Sequence, residues 1–236
     1  MSRKKILLPG LDKQLSFLNG NLTGQIKSAL VIGSSSELTA MEISRKYSCP
    51  VDLILQDYES LMNSKIILEK HSGINIRMME YGSTDFENES FDLIYAQASL
   101  SRNDRNKYIK EVKRILKPDG FFCAGEIVTL EKDYPAFVKD VFDASDILPL
   151  YVNTLDKYYT ERKFEIIARE DLTNTLEAYY NKNLVMLKEV LKQLGEQEKS
   201  YYKKLLNKIS HESNVYLKLG GKKYYGFVCL LMKKAG

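Results

Sequence analysis

The sequence predicts an α/β fold: a Rossmann-like, doubly wound, mostly parallel seven-stranded sheet, with a helical cap drawn from the C-terminal third of its 236 residues. Three observations carry this prediction. Short, nearly continuous apolar runs alternate with helical periodicities up to about residue 130, the pattern of parallel strands covered on both faces. Those runs tend to stop at small or polar residues, where a turn into a helix is expected. Beyond residue 130 the composition shifts to dense tyrosine and lysine on longer helical periods.

The elements follow in chain order. Residues 1–27 are a helical lead-in, in which Leu11, Leu15 and Leu18 at i, i+4 and i+7 predict a short amphipathic helix before the turn Asn19-Gly20-Asn21. Residues 28–130 form the core. There, 28–33 read as a buried strand ending in glycine, 34–36 as a polar turn, and 37–47 as a helix stopped by Cys49-Pro50. A second strand spans 51–56, and Asp57 precedes a helix over about 60–70 that Gly73 closes. Residues 74–79 are a third strand, ending at Tyr81-Gly82-Ser83, and 91–96 a fourth. The stretch 105–116 is strongly amphipathic, with Tyr108, Ile109, Val112, Ile115 and Leu116 on one face. Lys117-Pro118-Asp119-Gly120 stops it before a fifth strand at 121–125. Residues 131–236 supply the cap and the last strands: helices near 136–147 and 155–159, a strand at 164–168, helices over 172–194 and 196–209, and a strand at 224–232 that returns to the sheet.

Composition narrows the function classes. No apolar run approaches the ~20 residues a bilayer crossing needs, and the apolar stretch behind Arg3-Lys4-Lys5 is too short for a signal peptide. A soluble, cytoplasmic protein with no membrane partner is expected. Cys49, Cys123 and Cys229 are far apart and odd in number, which argues against disulfides and zinc; His71 and His211 read as solvated surface side chains, so no metal is expected. The net charge of +4 is spread along the chain rather than gathered in a stripe, which argues against nucleic acid as a partner. Oligomeric state is not legible in the sequence.

In an open parallel sheet, ligands bind beyond the carboxyl ends of the strands where strand order reverses. Gly33, Ser34, Ser35 and Ser36 lie after the first strand, where small residues allow close backbone approach and a helix N-terminus favours an anion. Ser36 could equally cap that helix. Asp57 follows the second strand, placed either for two ribose hydroxyls or as a helix cap. Tyr81-Gly82-Ser83 after the third strand would suit a flat adenine, and Ala96-Gln97 after the fourth lie nearest the crevice centre.

Two motifs then carry a family likeness. One is Glu89-Ser90-Phe91-Asp92-Leu93-Ile94-Tyr95, followed by Tyr108-Ile109-Lys110-Glu111-Val112-Lys113-Arg114-Ile115-Leu116-Lys117-Pro118-Asp119-Gly120-Phe121; the other is Asp57-Tyr58-Glu59-Ser60-Leu61-Met62. On these, residues 28–125 resemble class I S-adenosylmethionine-dependent methyltransferases, particularly the small-molecule group of ubiquinone and menaquinone C-methyltransferases. The resemblance implies S-adenosylmethionine as cofactor and a small-molecule substrate. It implies Asp57 on the ribose with Tyr58 beside the adenine, Gly82 and Ser83 at the adenine, and Gln97 near the methionine moiety or substrate. It names no catalytic base. The glycine motif departs from the family pattern: Val31 stands for its acid, Ser35 and Glu37 for its second and third glycines, and Gly33 alone remains. Gly82 also replaces the usual acid near adenine, and Ser101-Arg102 stands where relatives often carry histidines.

The implied reaction is in-line methyl transfer, driven by holding donor and acceptor aligned in a dry pocket. Tyr151, Tyr158, Tyr159, Tyr179 and Tyr180 could line an acceptor pocket or hold a cationic acceptor by their π faces, or simply pack with hydroxyls outward. Two rival readings stand beside this one. They are a degenerate fold relative that binds a nucleoside or serves a partner without catalysis, and an RNA methyltransferase.

Overall fold

The computed structural model describes residues 6–68 and 73–235. His71 lies outside them; His211 is exposed. The strands are β1 (Ala29–Ile32), β2 (Val51–Leu55), β3 (Ile74–Met78), β4 (Phe91–Gln97), β5 (Leu116–Thr129), β6 (Leu150–Tyr151), β7 (Phe164–Asp171) and β8 (Tyr225–Lys234). They form one sheet in the order β3-β2-β1-β4-β5-β8-β7, with β6 beside the end of β5. Strands β1 to β5 run parallel, whereas β8 is antiparallel to both β5 and β7. Strand order reverses at β1, whose neighbours are β2 and β4, so the crevice beyond Ile32 is the place for a ligand.

Eight helices accompany the sheet among the described residues: α1 (Lys13–Asn21), α2 (Glu37–Tyr47), α3 (Tyr58–Leu68), α4 (Arg105–Ile115), α5 (Ala136–Ala144), α6 (Leu155–Thr160), α7 (Leu176–Gln193) and α8 (Glu196–Leu217). The period-2 alternation of the strands sends their side chains into two cores. Val31, Leu53 and Tyr95 face the core shared with α2, α5 and α7. Leu30, Ile54 and Ile94 face the one shared with α4 and α6. Strand β1 is apolar throughout, and β4 is apolar apart from Asp92 and Gln97, because both of their faces are covered.

Several local expectations are revised. The turn at Asn19-Gly20-Asn21 is the last part of α1: the Leu22 amide still bonds the Leu18 carbonyl, and Asn21 donates its side-chain amide to Phe17 O at 2.8 Å. Lys117-Pro118-Asp119-Gly120 lies within the bounds of β5 as an irregularity opposite Phe91 to Leu93, with Asp119 at φ +60. Strand β6 has only two residues, too short to leave a periodic trace. Helix α8 runs on past the expected end at 209 to Leu217, and the extension brings Glu212 onto the cavity. Cys49, Cys123 and Cys229 are free and buried.

Candidate active site

A cavity of about 410 Å³ opens at the carboxyl ends of β1, β2 and β4, within the range of roughly 300–1,000 Å³ usual for small-molecule sites. Its floor begins with the loop after β1. Gly33 has φ +129, and a Cβ there would sit 2.8 Å from the Ser99 Cβ, so no other residue fits. Ser35 holds φ +63, the left-handed conformation, although it is not glycine. The loop therefore has a glycine-type backbone at a serine. Ser36 begins α2 without a side-chain capping bond, and its buried hydroxyl has no partner.

Asp57 caps a helix and also lines the cavity. Its Oδ1 accepts the Ser60 amide at 2.7 Å in the first turn of α3. Glu37, in the place of a family glycine, turns away from the cavity and accepts the Ser64 hydroxyl between α2 and α3. Burial raises its pKa above the ordinary carboxylate value, against the pull of that hydroxyl.

The site residues expected from sequence divide in two. Gly33, Ser34, Ser35, Asp57 and Gln97 meet on the cavity wall. Tyr58, Gly82 and Ser83 do not. Tyr58 is 65% exposed on the outside of α3. Gly82 packs against α4, where a Cβ would lie 2.9 Å from the Lys107 Cβ, and Ser83 closes a turn onto the Glu80 carbonyl. Tyr81, one residue earlier, is the one that reaches the cavity, and burial raises its phenol pKa.

Gln97 holds the lead-in. Its amide donates to the carbonyls of Pro9 and Leu11, each at 2.8 Å, and its oxygen accepts the Tyr95 hydroxyl. Asn183 on α7 adds two bonds to the Leu7 backbone, so residues 6–9 become a wall of the cavity. Sequence reading missed this role, and its only trace is the apolar run Ile6-Leu7-Leu8. Helix α8 forms the roof. Tyr201 on it, its pKa pushed up to about 12 by burial, approaches the hydroxyls of Ser35 and Ser60, and Lys204 pairs with Glu59 at 2.8 Å.

Beside the cavity, Ser101 and Tyr159 donate their hydroxyls to the fully buried Glu126, with Arg105 at 3.4 Å. This network fixes the Ser101-Arg102 loop, both residues of which line the cavity. Glu126 lay one residue past the predicted end of its strand. Of the five tyrosines singled out above, Tyr179 and Tyr180 line the cavity; Tyr151, Tyr158 and Tyr159 do not. Among the described residues no helix is long and apolar enough to cross a membrane, and no cluster of three or more His, Cys, Asp or Glu is arranged for a metal.

A doubly wound sheet with an antiparallel final strand, and a cavity beyond its reversal point, define a nucleotide-type cofactor domain. Residues 23–124 match the family model described as a methyltransferase domain. That match spans under half of the chain, whose fold is that of the class I S-adenosylmethionine-dependent methyltransferases. The matches do not single out the ubiquinone and menaquinone group. An uncharacterized protein of Haemophilus influenzae is 24% identical over 152 residues, a match spanning 61% of this chain and 60% of that protein. Among solved structures, the chain is similar to phosphoethanolamine N-methyltransferase 2 of Haemonchus contortus, in complex with phosphomonomethylethanolamine and S-adenosylhomocysteine. That match has a TM-score of 0.76 at 12% identity, covering 99% of this chain and 55% of that one. The [4+2]-cyclase SpnF matches with a TM-score of 0.73 at 15% identity, covering 95% and 80%. Such likeness concerns the fold, which by itself does not fix the chemistry.

Proposed function

We propose that this protein transfers a methyl group from S-adenosylmethionine to a small-molecule acceptor in the cytoplasm. In this reading the core, residues 28–130, holds the cofactor, while residues 131–236 and the lead-in, residues 1–27, enclose the acceptor. The observation that carries the reading is the positive-φ backbone at Gly33 and Ser35, beside Asp57, on one cavity. The residues present fit the cofactor. Gly33 and Ser35 let a ligand approach the backbone, Asp57 offers a carboxylate oxygen to ribose hydroxyls, and Tyr81 offers a ring. Tyr58, Gly82 and Ser83, which do not line the cavity, are left out of this contact set.

When bound, S-adenosylmethionine supplies an electrophilic methyl on a sulfonium sulfur. The chain's own part is to hold and enclose. Asp57 fixes the nucleoside end, α8 and residues 6–9 exclude water, and the tyrosines of α7 and β8 shape the acceptor side. Alignment of this kind can supply a large share of the barrier reduction, up to roughly 7–11 kcal/mol. Three free, buried cysteines suit a reducing compartment.

A second reading, nucleoside binding without transfer, is favoured by Val31, a fully buried apolar residue in place of the acid that meets the cofactor's amino group in relatives. Incubation of the full chain with methyl-labelled S-adenosylmethionine and a fractionated cell extract separates these readings. Label in the small-molecule fraction is expected. Label confined to RNA would establish the third reading instead, and none in any fraction, with the cofactor bound, would establish the second.

A further inference from the structure

We propose that the inner end of the cavity is an acceptor subsite for a small amine, docked as its ammonium on Glu212 among the rings of Tyr179, Tyr180 and Tyr225. The proposal rests on the methyltransferase reading above and adds the class of acceptor. Glu212 projects from α8 with its side chain only 6% exposed, yet it lines the cavity. Its Oε1 accepts the Ser145 hydroxyl at 2.7 Å. The nearest cation, Lys208, stands at 4.0 Å and is 43% exposed, so its charge is shared with solvent. A carboxylate taken this far out of water calls for a counter-charge.

Among the other charged groups lining the cavity, Arg102 pairs with Asp146 at 3.1 Å, Lys204 pairs with Glu59 at 2.8 Å, and the exposed Asp57 accepts the Ser60 amide. Glu212 is the buried carboxylate among them, and its ion-pair partner is the half-exposed Lys208. The rings around it point the same way. Tyr179 and Tyr180 lie 4.8 Å apart, Phe142 and Tyr225 5.3 Å apart, and the Tyr180 and Tyr225 hydroxyls meet at 3.4 Å. Desolvated aromatic faces attract cations, and an anionic acceptor would be repelled by Glu212.

Burial lifts the Glu212 pKa, against the pull of Lys208, Ser145, His211 and Tyr180, which suits the carboxylate to receive a proton. A docked ammonium passes one proton to that carboxylate. The freed nitrogen lone pair then forms the C–N bond while the C–S bond breaks and its electron pair stays on sulfur.

Calorimetry on the full chain tests this with three probes of one shape: benzylamine, benzyl alcohol and benzoate. S-adenosylhomocysteine is titrated first, and the probes are then added to both the free and the saturated protein. Benzylamine is expected to bind about tenfold or more tighter than benzyl alcohol, and benzoate more weakly still. Glu212→Gln should erase that preference while leaving S-adenosylhomocysteine affinity as it was. Lys208→Met, at an exposed position, should tighten benzylamine by removing a competing cation, and it decides the matter should the buried variant not fold. No benzylamine binding, equal or tighter alcohol or benzoate binding, a preference that survives Glu212→Gln, or no gain in Lys208→Met overturns the proposal. Failure of S-adenosylhomocysteine to bind would instead strike the cofactor reading, and the probe titrations on the free chain would still decide the subsite.

Discussion

At the scale of single residues, Ser35 holds a left-handed backbone at a position where the family pattern has glycine. A non-glycine residue in the left-handed region costs roughly 1–2 kcal/mol, while glycine adopts it freely. Ser35→Gly should therefore be more stable than Ser35→Ala by about 1 kcal/mol in urea denaturation, since both variants lose the hydroxyl near Tyr201. Equal stability would mean that the loop relaxes out of this conformation. The same scale shows what the sequence could and could not disclose. Gly33, Ser34, Ser35 and Asp57 were legible because the end of a buried strand fixes where the next residues must lie. Tyr58, Gly82 and Ser83 sit one step into a helix or turn, where the local rotation of the backbone decides which side chain enters the cavity. Apolar periodicity does not encode that rotation, so Tyr81 rather than Gly82 faces inward.

At the scale of elements, two carboxylates join helices to their surroundings with opposite pH signs. Glu37 ties α2 to α3 through Ser64, and burial raises its pKa above the ordinary 4.5. A group whose folded pKa is raised contributes stability that is present in full below 4.5 and lost as pH climbs through the folded value. Glu37→Gln, whose amide oxygen still accepts from Ser64, should melt higher than the parent at neutral pH, with the gap closing below pH 4.5. Glu111 on α4 is the converse. Burial alone would raise its pKa, but Arg114 and the Thr84 amide and hydroxyl outweigh it and hold the value at about 2. Its contribution is present above 4.5 and lost as pH falls toward 2, so Glu111→Gln should melt lower at neutral pH by a gap that shrinks in acid. Thermal melts across that range check both signs. Glu111 and Arg114 belong to the motif that carried the family resemblance, and in the structure they anchor the loop before β4 rather than enter the cavity. Helix α4 was legible from its apolar stripe. The two-residue β6 was not, and the end of α8 was obscured because the polar Glu212 and Ser213 occupy buried positions that break its apolar pattern.

At the scale of the whole molecule, the cavity is assembled from segments far apart in the chain. Leu7 bonds Asn183 across 176 positions, and Gln97 bonds Pro9 across 88. Local patterns carry no information on such pairings, which is why the core and the capping helices were legible while the wall formed by residues 6–9 was not. Gln97→Leu would leave two carbonyls and the Tyr95 hydroxyl without their partner. It should destabilise the fold by about 2 kcal/mol or more and speed amide exchange across residues 6–12. Unchanged exchange there would mean that the lead-in is held by other contacts.

The claim that joins these scales is that the cavity after β1 and β2 is built for S-adenosylmethionine, with Asp57 as its nucleoside anchor. Calorimetric titration of the full chain with S-adenosylhomocysteine addresses it most directly. One site per chain is predicted, with affinity weakened about tenfold or more in an Asp57→Ala variant that a melting curve shows to be folded. Absence of binding to the parent protein, or equal binding by the variant, would contradict it.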